Sequence, residues 1–79
     1  MNNEQVKEFE SKLPAALKPG CEVRFWKEDR KHLVCYEIKG DPHGVPFIDE
    51  ISVLKLRSSQ DVDAQVRLIS NELPASWID

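Results

Sequence analysis

The stretch "CEVRFWKEDRKHLVCYEIK", Cys21 to Lys39, decides the fold. From Cys21 to Trp26, and again from His32 to Lys39, the side chains alternate in polarity and are rich in Val, Phe, Trp, Tyr and Ile. That is the pattern of strands with one buried face. The wholly charged "KEDRK" between them reads as a turn, so the two runs form a hairpin. With Asp29 and Arg30 at its tip, Glu28 faces Lys31, Phe25 faces Val34 and Val23 faces Tyr36, a register that gathers the best apolar pairs on one side.

On the N-terminal side of the hairpin, Val6, Phe9 and Leu13 recur at helical spacing, which predicts a helix over 2–13 with Asn2 and Gln5 as its capping pair. Pro14 is expected to break it. Leu17 returns to the same face, and Pro19-Gly20 stops the chain before the first strand over 21–26. On the C-terminal side, "GDPHGVPF" (40–47) has the density of special residues that marks either a site or a turn. Asp41-Pro42-His43-Gly44 fits a type I turn, with Asp first, Pro second and Gly fourth, so the stretch reads as a connection from the second strand (32–39).

"EISVLKLR" predicts a third strand over 50–57, with Ile51 and Val53 on one face and Leu54 and Leu56 on the other, through a bulge or burial on both sides. A helix starting at Pro46 competes with that reading. Ser58-x-x-Asp61 then caps a helix over 59–73, in which Val62, Val66, Ile69 and Leu73 keep helical spacing. Pro74 ends it and leaves 74–79 as a C-terminal tail. The expected architecture is a single α+β domain of αβββα order, a three-stranded antiparallel sheet with two helices on one face.

Composition supports one small folded unit: of 79 residues 41% are apolar and 32% charged, enough apolar surface to fold but only around a modest core. No apolar run approaches the roughly 18 residues that cross a bilayer. The N-terminal "MNNEQVKEFE" is polar and acidic where a signal peptide is basic and then apolar, so a cytoplasmic protein is expected. Two cysteines are too few for a disulfide scaffold, and both are read as free thiols. Residues 1–40 hold eight Lys/Arg against seven Asp/Glu and residues 41–79 three against seven, so the net charge of −3 is concentrated in the C-terminal half. That balance argues against nonspecific binding to nucleic acid or anionic lipid.

Cys21, His32, Cys35 and His43 are the residue types of a tetrahedral zinc site, but their spacing is not that of paired ligands on a turn, and His32 and Cys35 point to opposite faces of one strand. A Cys35–His nucleophile pair lacks an orienting third group, and a mid-strand cysteine is more often a packed hydrophobe. Asp61 and Asp63 at a helix start need no catalytic role, because the helix dipole favours them there. The expectation is a noncatalytic protein with neither metal nor cofactor.

The αβββα order resembles that of double-stranded-RNA-binding domains, and this resemblance implies nucleic-acid binding as an alternative function. That fold normally holds phosphates at a lysine-rich start to its second helix, whereas the matching stretch here is "SSQDVDAQ", in which Asp61 and Asp63 would repel them. The rival contact is the basic hairpin 27–32, with Lys27, Arg30 and Lys31 interleaved with Glu28 and Asp29.

The sheet face that the helices leave uncovered is expected to carry Glu22, Arg24, Trp26, Leu33, Cys35 and Glu37. An apolar patch of Trp26, Leu33 and Cys35 with Arg24 beside it has the composition of a protein-binding hot spot. Three fates are open to it: a partner protein, a second copy in a homodimer, or cover by Trp77 and Ile78 folding back. The function expected first is an acidic adaptor or inhibitor that binds a partner protein through Trp26, Leu33, Arg24, Cys35 and Trp77 and acts by steric occupation.

Overall fold

The structure, a computed structural model, describes residues 3–41 and 43–79. Two helices and a three-stranded antiparallel sheet follow in the order α1 (Asn3–Ala15), β1 (Glu22–Glu28), β2 (Leu33–Lys39), β3 (Phe47–Ser52) and α2 (Ser59–Glu72), with β2 in the centre of the sheet. This is the expected αβββα domain. Both helices lie on one sheet face and share its core: Val6, Phe9, Leu13 and Leu17 from the first segment meet Val34, Tyr36, Ile38 and Ile51 of the sheet, Val62 and Ile69 of α2, and Leu73 just after it. Phe9 sits at the centre, edge-on to both Phe25 and Tyr36 with ring centroids 6.0 and 5.9 Å away.

Several boundaries differ from the sequence reading, each for a local reason. Against the expected break at Pro14, α1 runs on to Ala15. Proline costs a helix the hydrogen bond to the carbonyl four residues back, and here that loss falls in the last turn, where the chain already tightens through Leu17 N–H to the Pro14 carbonyl. The Asn2–Gln5 capping pair lies outside the described residues.

The hairpin turn occupies Asp29–His32, not a two-residue tip. Asp29–Lys31 make a single 3₁₀ turn, closed by the His32 amide bonding the Asp29 carbonyl, and His32 takes a left-handed conformation at φ 52°. The strands pair two residues out of the expected register, with Phe25 opposite Tyr36 and Val23 opposite Ile38. Because side chains alternate with a period of two, a slip of two leaves every residue on its expected face.

The third strand is Phe47–Ser52, not 50–57. A 3₁₀ turn over Val53–Lys55, capped by the Ser52 hydroxyl accepting from the Leu54 amide, rolls the chain so that Val53 and Leu56 are both buried while Leu54 is exposed. A bulged strand is therefore unnecessary to bury both residues. Ser58 caps α2 as expected, its hydroxyl accepting from the Asp61 amide at 3.2 Å, and Asp61 returns a carboxylate oxygen to the Arg57 amide. In the turn before β3, the Gly44 amide bonds the Asp41 carbonyl and the His43 amide bonds the Asp41 carboxylate. Those two bonds hold the loop as a connection; Pro42 lies outside the described residues.

The segment after α2 is not a free tail. Ala75–Trp77 form a 3₁₀ turn, Ile78 bridges to Leu17, and the Trp77 carbonyl accepts from the Lys18 amide at 2.9 Å. The end of the chain thereby locks the α1–β1 connection, where Gly20 supplies the left-handed residue of the stop at φ 99°. Across the helix seam, Lys12 bridges Glu8 of its own helix and Asp63 of α2, and Ser59 donates to Glu8. Hydrogen bonds from Lys12 and then Ser59 lower the Glu8 carboxyl below its ordinary value.

Candidate functional site

The uncovered sheet face is a grid set by strand register. Across the three strands run the rows Glu28–Leu33–Ser52, Trp26–Cys35–Glu50 and Arg24–Glu37–Ile48. Trp26 is 37% exposed and Ile48 is 58% exposed, while Cys35 between them is only 6% exposed. Together with Asp49 and Glu50 these three line a shallow hollow of about 270 Å³, with the thiol among its lining groups. Leu33 stands half-buried in the next row.

Arg24 braces this surface. Its guanidinium carbon lies 5.8 Å from the Trp26 ring centre and its Nε lies 3.6 Å from Glu37. A cation over an exposed indole contributes about 0.5–1 kcal/mol, and the exposed ion pair less, so the arrangement orients Trp26 more than it stabilises the fold. Two residues apart on one strand, Arg24 and Trp26 share a face, which is why the pattern was readable from alternation alone.

Of the residues expected at this site, Trp26, Leu33, Arg24 and Cys35 are together. Trp77 is elsewhere. Its ring packs against the main core and Gly40, beyond the opposite end of β2 from Leu33, and so does not cover Trp26. The member that sequence reading missed is Ile48, because the third strand was expected to begin after it. The alternation Phe47, Asp49, Ile51 against Ile48, Glu50, Ser52 carries the signal.

Lys27, Arg30 and Lys31 are all exposed at the hairpin turn. Cys21, His32, Cys35 and His43 are scattered over the α1–β1 connection, the hairpin turn, mid-β2 and the loop before β3, and among the described residues no three His, Cys, Asp or Glu side chains come together as metal ligands. No helix among the described residues is long and apolar enough to cross a membrane.

Burial raises the Cys35 thiol above its ordinary value, with Glu50 opposite it and Glu28 nearby adding to the effect. A nucleophilic cysteine needs the reverse, a neighbourhood that favours thiolate. Cys35 is expected to react with a thiol reagent at neutral pH at least about tenfold more slowly in the folded protein than in denaturant. Site-resolved alkylation read by peptide mass analysis measures this, and a Cys35 that reacts faster when folded would restore the nucleophile.

On the helix side of β3 lies a second hollow of about 260 Å³, between that strand and α2. Tyr36 and Ile51 line it from the sheet, Leu68 and Ile69 from the helix, and Asp49 and Glu72 supply carboxylates. Burial first, then Asp49 and Glu72, push the Tyr36 hydroxyl far up. Compared with models of known protein families, with curated proteins and with solved structures, the chain matches none.

Proposed function

We propose that this chain is a noncatalytic protein-interaction module, an adaptor or inhibitor that acts by occupying a partner's surface with its uncovered sheet face. The observation that carries the reading is the exposed Trp26, held by Arg24 beside a hollow lined also by Cys35 and Ile48. Binding energy concentrates in such places, an aromatic anchor with arginine beside it and charge around it. Glu22, Glu28, Glu37 and Glu50 share the face with only two cations, Arg24 and Lys39, so the complementary partner surface is apolar at its centre and basic around it.

Trp26→Ala is expected to weaken capture of the partner by about thirtyfold or more, the effect of losing a hot-spot residue of about 2 kcal/mol. Pull-downs with the wild-type protein, Trp26→Ala and Leu54→Ala measure it, with circular dichroism establishing that each variant is folded. Leu54 is exposed in the 3₁₀ turn after β3, does not line the hollow beside Trp26, and is expected to change nothing. Capture that survives Trp26→Ala unchanged sinks the reading. If binding instead falls steeply with salt and is lost on neutralising Lys27, Arg30 and Lys31, the interaction belongs to the hairpin and its partner is a nucleic acid.

A further inference from the structure

The ladder between β2 and β3 decides which backbone groups of the outer strand are free. It continues past Ser52 to Val53, whose amide donates to the His32 carbonyl at 2.8 Å. Bonded and non-bonded residue pairs alternate along an antiparallel ladder. Ile51 and Asp49 therefore bond β2, and Ile48, Glu50 and Ser52 turn their amides and carbonyls outward. The Glu50 amide agrees with this phase, because it is taken up by the Asp49 carboxylate at 2.8 Å and not by β2. β3 ends the sheet, so these groups form an edge of the kind that templates another strand.

That edge separates two hollows of different chemistry. On the open face is the apolar surface of Ile48, Cys35 and Trp26. On the helix side is the β3–α2 groove, where the carboxylates of Asp49 and Glu72 face a single cation, Lys55. Tyr36, only 2% exposed, lines that groove, and its hydroxyl makes no hydrogen bond to any described residue. The groove therefore holds unmatched negative charge with a phenol hydroxyl beside it.

We propose that the β3 edge takes up one extended segment of a partner protein as a fourth antiparallel strand, with lysine or arginine side chains entering the β3–α2 groove and apolar ones lying beside Ile48. The proposal rests on the interaction reading above and names the partner's chemistry at the margin of that face. Alternation along an added strand delivers its side chains to the two hollows in turn, and the main-chain bonds supply register. A partner carbonyl would replace Asp49 on the Glu50 amide, freeing the Asp49 carboxylate for the incoming cation, whose N–H groups the Tyr36 hydroxyl can also accept. A second copy of this chain is the wrong occupant, because pairing β3 with itself sets Asp49 and Glu50 close to their own counterparts, and like charges across strands are destabilising.

The test is a titration of the full chain with the blocked peptide Lys-Val-Lys-Val-Lys-Val, read by backbone amide chemical shifts. Saturable shifts at Ile48, Glu50 and Ser52 and along the groove side of α2 are expected. The Glu-Val analogue should bind at least tenfold more weakly, as should a version of the lysine peptide methylated on alternate backbone nitrogens. Glu72 is exposed near the end of α2, and Glu72→Lys should weaken the lysine peptide at least tenfold without unfolding the protein. Equal binding of the two peptides, indifference to backbone methylation, or shifts centred on 27–32 would each overturn strand addition, as would the absence of saturable shifts. Failure here with capture still dependent on Trp26 leaves the open-face reading intact, whereas capture indifferent to Trp26 removes that reading whatever the peptide does.

Discussion

Phe9→Ala is expected to remove at least about a quarter, and up to all, of the stability of the domain. Phe9 is fully buried and is the ring on which the layers meet, edge-on to Phe25 of β1 and to Tyr36 of β2. Truncating such a residue forfeits its transfer energy and leaves a cavity that the surroundings only partly fill, about 3–5 kcal/mol in all. A chain of 79 residues has about 4–12 kcal/mol to lose. The two ranges overlap, so the variant should be unfolded at room temperature or show a urea midpoint reduced by at least about a quarter. Val45→Ala is the contrast: Val45 is 86% exposed and its truncation should cost no more than about 0.5 kcal/mol. A Phe9→Ala loss below about 1 kcal/mol would mean that the sheet and α2 hold together without this ring.

Phe9 also marks what could be read in advance. Val6, Phe9, Leu13 and Leu17 keep one helical face, and all four are buried. Val23 and Phe25 alternate with Arg24 and Trp26, so the face each takes followed from sequence even though the hairpin register did not. Register depends on how many residues the turn consumes, and "KEDRK" contains no glycine or asparagine to advertise that His32 would adopt the left-handed conformation. "EISVLKLR" failed for a related reason. Its apolar residues fit a strand with burial on both sides, but a 3₁₀ turn at Val53 achieves the same burial with a change of direction, and the strand moves upstream to include Ile48.

The open face was legible because it needs only period-two alternation within two strands. The β3–α2 groove was not, since it requires knowing which strand lies at the edge and which side chains of α2 stand over it. Tyr36 looked like one more core aromatic, and only the structure shows that it also lines a groove beside Asp49 and Glu72. The same holds for Trp77. In sequence it is one of two tryptophans and an obvious partner for an apolar face; in three dimensions it is a bolt between the chain end and the sheet.

Gly40→Ala tests that bolt, and its effect should be large for so small a change. Gly40 follows β2, and a methyl group there would land on the indole of Trp77, against Cδ2, Cε2 and Nε1. Moving the ring is not a local adjustment, because the Trp77 carbonyl is held by the Lys18 amide and the next residue, Ile78, bridges Leu17. Overpacking of this kind costs about 1–3 kcal/mol. If the cost is the clash itself, it should vanish once the ring is gone. Trp77→Ala and the double variant Gly40→Ala/Trp77→Ala should then unfold at the same urea concentration, a strongly non-additive cycle. Penalties that simply add would place the strain of Gly40→Ala in the backbone of the β2–β3 loop, and Trp77 would be free to serve something other than the core.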